Sequence, residues 1–242
     1  MKSKTGGPLW RQVYRKERAQ EYHRLMHLAG GKWYLDMLGA VVQTLSFLRK
    51  DATHILDLGT GTGRLACRVL RCFPSTELIG IDGSAAMLEK ARKNLRRFGR
   101  RARFFCRNFG QSNWGADLPP LDAVISTIAI HHLTHAGKRK LYAQIFKKLK
   151  PGGLFINGDP VWPENQNLKK RNDLMWALYI QERYKRLIGK DKTVSSLLAW
   201  INKTRDAEGD KPTSLEGQLS WLKQAGYAHV DCFWKTFGFA VF

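Results

Sequence analysis

A short apolar run, HILDL (54–58), passes without a break into Gly59-Thr60-Gly61-Thr62-Gly63, and a helix-period stretch from Arg64 to Cys72 follows at once. Three glycines at alternate positions let the backbone turn tightly and let a ligand lie against it with no Cβ in the way. A strand, glycine loop and helix in that order place a binding edge at the strand's C-terminal end. The chain then repeats the alternation. Apolar blocks recur at 77–82, 103–108, 121–127 and 153–158, each rich in Ile, Leu, Val or Phe, as strands buried on both faces require. Helix-period stretches lie between them at 85–98 and 138–149, the second ended by Pro151-Gly152-Gly153. The expected fold is α/β, a doubly wound, right-handed and mostly parallel sheet.

The two ends depart from this alternation. Residues 8–48 read as one or two amphipathic helices, an N-terminal helical cap over 1–48 ahead of an α/β core at 49–159. Residues 160–212 open at Pro160 and Pro163, carry a long helical period, and form an insertion of the kind that is usually functional. The tail, 213–242, gives a helix from Leu215 to Gln224 stopped by Gly226, then two aromatic-rich segments with Gly238 in the turn between them.

Composition narrows the class. With 43% hydrophobic residues in 242, the chain has enough apolar surface for a sizeable core, and disorder is excluded as its main state. No apolar run approaches the ~20 residues that span a bilayer, and the basic N-terminus lacks a signal peptide's apolar stretch, so a cytoplasmic location is expected. Cys67, Cys72, Cys106 and Cys232 match neither a zinc pair nor a disulfide framework, and are read as reduced, mostly buried thiols. The net charge of +21 is broad, with one dense focus, Lys90 to Arg107, where nine basic residues meet no acid. A solvated basic face is the default reading. An RNA-docking patch is the alternative, because Lys and Arg alone give phosphate affinity. The run's aromatics are Phe98, Phe104 and Phe105, two of them in an expected buried strand, so no platform for stacking single-stranded bases is apparent.

The glycine register excludes two ligand classes. Dinucleotide sites want a third glycine where this chain has Arg64, and a P-loop wants Gly-Lys-Ser/Thr after the turn. Asp57 stands in front of the loop, and Asp82 ends the second strand, where an acid can accept hydrogen bonds from ribose hydroxyls. The combination suits a nucleoside ligand without a pyrophosphate, whose amino acid tail lies across the loop.

On these motifs the sequence resembles the class I, Rossmann-like S-adenosylmethionine-dependent methyltransferases, by motif over residues 50–160. ILDLGTGTGRLA (55–66) looks like the family's cofactor loop, and Asp82 in IGIDGSAAML looks like its ribose-binding acid. Asn108-Phe109 sits where the family places a polar group and an apolar neighbour against the adenine. VISTIAIHHL (124–133) resembles the segment after the fourth strand, and LKPGGLFING (149–158) the turn into the fifth. The resemblance implies a sheet whose last strand is antiparallel, helical lid segments, and S-adenosyl-L-methionine as cofactor with S-adenosyl-L-homocysteine as product. It implies a cofactor site made by Asp57, Gly59, Gly61, Asp82, Gly83, Asn108, Phe109 and Thr127, and no metal. Amino-directed nucleic-acid enzymes often carry Asp/Asn-Pro-Pro-aromatic after strand four, where this chain has Ser126-Thr127-Ile128-Ala129, and no cysteine fits a C5-cytosine nucleophile. A small-molecule acceptor, aromatic or anionic, is the favoured partner. An RNA acceptor and a non-catalytic cofactor-binding protein are the alternatives.

Methyl transfer from a sulfonium is an in-line displacement, so only an acceptor that carries a proton on its nucleophile needs a titrating residue. His131, leaving strand four, is the candidate base, because imidazole titrates near neutrality. A histidine that only shapes the pocket is as good a reading; His132 and Asp159 are weaker candidates. Trp10, Tyr14, Trp33, Tyr34, Trp162, Trp176, Tyr179 and Trp200 concentrate in 8–48 and 160–205, and are expected to close over an acceptor as a lid.

Overall fold

The computed structural model describes residues 31–242. Its elements in chain order are α1 (Gly31–Leu48), β1 (His54–Leu58), α2 (Arg64–Cys72), β2 (Glu77–Asp82), α3 (Ala85–Leu95), β3 (Ala102–Cys106), β4 (Leu121–Thr127), α4 (His135–Phe146), β5 (Leu149–Pro160), α5 (Gln166–Ile188), α6 (Val194–Glu208), α7 (Leu215–Gln224), β6 (Trp234–Thr236) and β7 (Phe239–Val241). The seven strands form one sheet in the order β3-β2-β1-β4-β5-β7-β6. Strands β1 to β5 pair in parallel, and β7 runs antiparallel to both β5 and β6. The order reverses between β1 and β4, and such a switch point opens a crevice at the C-terminal strand ends. Residues 1–30 of the expected 1–48 helical cap, with Trp10 and Tyr14, lie outside the described residues.

Apolar blocks became strands because β1, β2 and β4 are covered on both faces. One face carries α1, α2, the α3 side chains Ala91 and Leu95, and the α5–α6 pair; the other carries α4 and α7. Side-chain caps mark the helix starts. Ser84 accepts from the Met87 amide, Thr134 from Gly137, and Asn165 from Asn167 and Leu168. At the opposite edge from the crevice Asp122 accepts the amides of Thr53 and His54 and pairs with Arg49 and Lys150. Burial alone would raise this carboxyl, but the Lys150 ammonium and those donors hold it well below the usual carboxylate range.

Several local expectations change. Helix α3 stops at Leu95 and continues as a 3₁₀ turn to Arg101, broken at Gly99, whose φ is +55°. Strand β5 begins at Leu149 rather than at Gly153, because its pairing with β4 jumps from Leu149 opposite Leu121 to Leu154 opposite Ala123, and Pro151-Gly152-Gly153 loops out between. Strand β3 is an edge, so Phe104 and Phe105 are half-buried rather than buried. The cysteines are free as expected, but Cys72 and Cys106 are exposed and Cys67 and Cys232 half-buried, a correction to the buried reading. No described helix is long and apolar enough to cross a membrane.

Candidate active site

A cavity opens at the C-terminal ends of β1, β2 and β4, where the switch point lies. Gly59, Gly61, Asp82, Gly83, Asn108, Phe109 and Thr127 all line it. Asp57 does not. It is buried behind the loop, where its carboxylate accepts the Thr60 hydroxyl at 2.7 Å. Burial raises its pKa to about 7, with nearby Asp82 adding to the shift and the Thr60 bond opposing it. Asp57 therefore supports the loop from beneath rather than meeting a ligand.

The three glycines have three different reasons. A Cβ on Gly59 (φ +75°) would stand 2.3 Å from the Ala129 Cβ, so glycine there lets the loop touch the exit of β4. A Cβ on Gly63 (φ +78°) would meet Leu95 at 2.2 Å, so this glycine packs α2 against α3. Gly61 (φ +54°) has nothing within 4 Å of its Cβ position, which leaves its face open. Its amide donates to Asp82 Oδ2 at 2.9 Å, and the Ser84 amide donates to Oδ1 at 2.8 Å. Two of the carboxylate's roughly four acceptor positions are thus used inside the protein. Burial raises the Asp82 pKa, and the two amides work against it.

Cationic and aromatic groups complete the wall. The Arg64 guanidinium lies 5.2 Å from the Tyr34 ring centroid, and its Nη1 is buried with no hydrogen-bond partner among the described residues. Such an atom asks for an acceptor from outside. Arg107 also lines the cavity but is held by Asp117 through paired bonds, one of 2.8 Å. Asn108 lines the cavity and accepts the Gly110 N–H at 2.9 Å on its amide oxygen. Ile128 takes φ +51°, unusual for a β-branched residue and costly by ~1–3 kcal/mol, at the point where β4 meets the loop.

Beside the cavity lies His131, the candidate base. It is 2% exposed and does not line the cavity, whereas His132 does. Nδ1 of His131 lies 2.8 Å from Asp159 Oδ1, and Nε2 lies 3.4 Å from Asp210 Oδ1. Asp210 Oδ1 is also 3.3 Å from His132 Nδ1, and the two imidazole rings sit 4.0 Å apart. Burial would lower the His131 pKa, but Asp159 and then Asp210 raise it to about 10. Burial and the neighbouring His131 charge lower that of His132. Burial would raise Asp210, yet the histidine pair pulls it well below the usual range. Lys138, fully buried below them, is brought down to about 8 by desolvation, and its ammonium donates to the Lys211 carbonyl. The sequence hid Asp210 because nothing in its neighbourhood marks it; it arrives from 79 positions beyond His131.

The aromatics expected in a lid mostly do something else. Trp33 stacks on Phe239 at 4.2 Å and meets Trp176 edge-on at 4.8 Å, and Trp176 stacks with Tyr179 at 5.6 Å. They fasten α1 and α5 to β7. Tyr34 alone of the described set lines the cavity, and no residue of 160–212 does.

Residues 55–153 match the sequence profile of the Methyltransferase domain family. A carboxy-S-adenosyl-L-methionine synthase of Nautilia profundicola is 26% identical over 212 residues, covering 87% of this chain and 84% of that protein. An uncharacterized methyltransferase of Oceanobacillus iheyensis is 31% identical over 120 residues, about half of each chain. Among solved structures, human N-acetylserotonin methyltransferase in complex with SAM aligns over 100% of this chain at TM-score 0.63 and 15% identity. PigF with SAH aligns over 97% at TM-score 0.66 and 15% identity. These likenesses show the fold, and the chain spans about 60% of the length of each of those two structures.

Proposed function

We propose that this chain is a class I, Rossmann-like S-adenosylmethionine-dependent methyltransferase and that it methylates a small acceptor bearing an anionic group. The observation that carries the anionic preference is Arg64 Nη1, a buried cationic donor on the cavity wall with no partner among the described residues. When bound, S-adenosyl-L-methionine supplies an electrophilic methyl group on sulfur, and S-adenosyl-L-homocysteine remains after the methyl has left.

The chain's own residues bind and orient. Gly59 and Gly61 leave the loop bare for the amino acid part of the cofactor, and the remaining lone pairs of Asp82 accept from the ribose hydroxyls. Asn108 offers its free NH₂ and Phe109 its ring to the adenine, while Gly83 and Thr127 form the walls on either side. Asp57 keeps the loop in shape through Thr60. Arg64 takes the anionic group of the acceptor at one end of the cavity. His131 is a positioning residue: fixed by Asp159 and Asp210, it backs the His132 ring that faces the acceptor. Alignment of this kind is where most of the rate of a displacement comes from.

The synthase relatives favour a second reading, in which a carboxylic-acid co-substrate releases carbon dioxide, the cofactor's S-methyl carbon gives up a proton to the carbon left behind and forms a carbon–carbon bond to the released carbon dioxide, and Arg64 meets the added carboxylate. An RNA acceptor gains little support from the basic run. Arg92, Arg97 and Arg101 spend guanidinium donors on internal partners, and Arg103 pairs with Glu77. Incubating the protein with labelled S-adenosyl-L-methionine and pooled anionic metabolites, then weighing the adenosyl product, separates the readings. S-adenosyl-L-homocysteine with label in a small molecule supports the first. A carboxylated adenosyl sulfonium replaces it with the second, and label in RNA overturns both.

A further inference from the structure

The His131, His132 and Asp210 cluster has a geometry that hydrogen bonding explains poorly. The two nitrogen-to-oxygen distances, 3.4 Å from His131 Nε2 and 3.3 Å from His132 Nδ1, converge on the same oxygen, Asp210 Oδ1. That oxygen is buried and forms no hydrogen bond of acceptable geometry with any described residue. Both separations are long for a charge-assisted bond, which falls at about 2.7–2.9 Å. They equal the edge of a tetrahedron around a metal ion: bonds of ~2.0–2.1 Å to imidazole nitrogen and carboxylate oxygen put neighbouring ligand atoms ~3.3–3.4 Å apart. All three ligand atoms lie within 4.8 Å of one another.

The surroundings are those of a ligand set as well. A metal-bound histidine nearly always gives its other ring N–H to a carboxylate, which fixes the tautomer and leaves the ligating nitrogen's lone pair free. His131 does this through Nδ1 to Asp159 Oδ1 at 2.8 Å, with Asp159 itself held by the Ala129 amide at 3.2 Å. The cluster is nearly dry, His131 being 2% and the Asp210 side chain 11% exposed. The segment that carries Asp210 is fixed beside it, since the Lys211 amide donates to the His131 carbonyl at 2.9 Å.

We propose that His131 Nε2, His132 Nδ1 and Asp210 Oδ1 bind a divalent first-row transition ion of zinc type. Two imidazoles and one carboxylate suit zinc, cobalt or iron(II) and not magnesium or calcium, which take oxygen ligands. Three protein ligands leave a tetrahedral ion one position for water. Because Asp210 comes from the segment after α6 and the histidines from the exit of β4, the ion would clasp the 160–212 block to the core. This inference stands on the side-chain geometry alone and does not depend on which acceptor is methylated.

The test uses the full chain without a histidine tag, stripped with chelator and titrated with CoCl₂ and then ZnCl₂. Tetrahedral cobalt gives strong visible absorption, and one equivalent is expected, displaced by one equivalent of zinc with a rise in melting temperature. Asp159→Asn should weaken cobalt affinity by about 10–100-fold, the cost of losing an outer partner. Asp210→Asn and His132→Gln should each weaken it further, while His229→Ala, at a histidine far along the tail, should leave it unchanged. Folding of every variant is read from its far-ultraviolet dichroism. Either of the two ligand variants suffices, so loss of fold in one leaves the other as the test. Absence of visible absorption at one equivalent, or absorption that survives in a folded Asp210→Asn or His132→Gln, overturns the site and leaves an imidazolium held between two carboxylates.

Discussion

The carboxylate of Asp82 accepts the amide of Gly61 at 2.9 Å, so the acid that ends β2 closes the glycine loop that follows β1. One side chain thereby shapes the loop and lines the cavity. Asp82→Ala removes both functions, and affinity for S-adenosyl-L-methionine should fall by about 1–3 kcal/mol, roughly 5–150-fold in Kd, by isothermal titration. Asp82→Asn keeps an acceptor for Gly61 but loses one for ribose, and should fall between the two. Equal affinity in wild type and Asp82→Ala would remove Asp82 from the cofactor site.

Gly59 and Gly61 both have positive φ, yet they should respond differently to alanine. At Gly59 the added methyl meets Ala129 at 2.3 Å in a backbone region that alone costs ~1–2 kcal/mol, so Gly59→Ala should lower both stability and cofactor affinity. At Gly61 no atom lies within 4 Å. Gly61→Ala should cost about 1 kcal/mol of stability from its φ, with a larger proportional loss in binding, because its methyl enters the space reserved for ligand. Paired melting and titration experiments compare the two. A Gly61→Ala protein less stable than Gly59→Ala would contradict the packing.

The glycine loop at the cavity was legible because its signal is local: Gly59, Gly61 and Asp82, all of which line the cavity, declare themselves by type and by place in the strand and helix alternation. Asp57 sits two residues before the same loop and was misplaced, since sequence shows that an acid is adjacent but not whether its side chain points up or under. The burial of His131 beside the cavity was not legible, because its partners Asp159 and Asp210 are contributed by distant segments. The lid aromatics failed for the same reason. Trp33 and Trp176 have a helical period that describes packing against β7 as well as it describes a cover, and only Phe239, far along the chain, decides between them. Antiparallel β7 and the β1 to β5 alternation were readable as a class, but the packing of α1 into the core was not, and the bulge at Pro151-Gly152-Gly153 depends on the register with β4.

Asp57 makes stability depend on pH in a direction opposite to most carboxylates. Burial raises it to about 7 in the fold against 3.8 for the free group, so the folded state holds a proton between these values that the unfolded chain has lost. Its contribution is fully present below about pH 4 and is lost as pH rises through 7. In Asp57→Asn that loss is absent, and the Asn oxygen still accepts from Thr60. The variant should match wild type near pH 4 and below, draw ahead as pH rises from there, and exceed it at pH 8 by on the order of 1 kcal/mol or more in urea denaturation. A wild-type advantage that grows with pH would show instead that the ionised form is the one the loop requires.

Arg101 illustrates how much of the basic run is structural. Its guanidinium donates to the carbonyls of Leu70 and Thr76 at 3.1 and 3.0 Å and also to Phe73, tying the end of α2 and the turn into β2 to the start of β3. Hydrogen bonds from a charged donor contribute about 1.5–3 kcal/mol each when part-buried, and truncation leaves the carbonyls short of a partner. Arg103, two residues on, makes a half-exposed pair with Glu77 at 3.5 Å, a contact worth about 0–1 kcal/mol. Both substitutions remove one positive charge from the same surface. Arg101→Ala should therefore lower stability by at least about 2 kcal/mol, while Arg103→Ala stays within about 0.5 kcal/mol of wild type. If the two variants melted together and both lost RNA retention at low salt to the same degree, the run would be a phosphate-binding face, and the carbonyl clamp at Arg101 would be incidental to it.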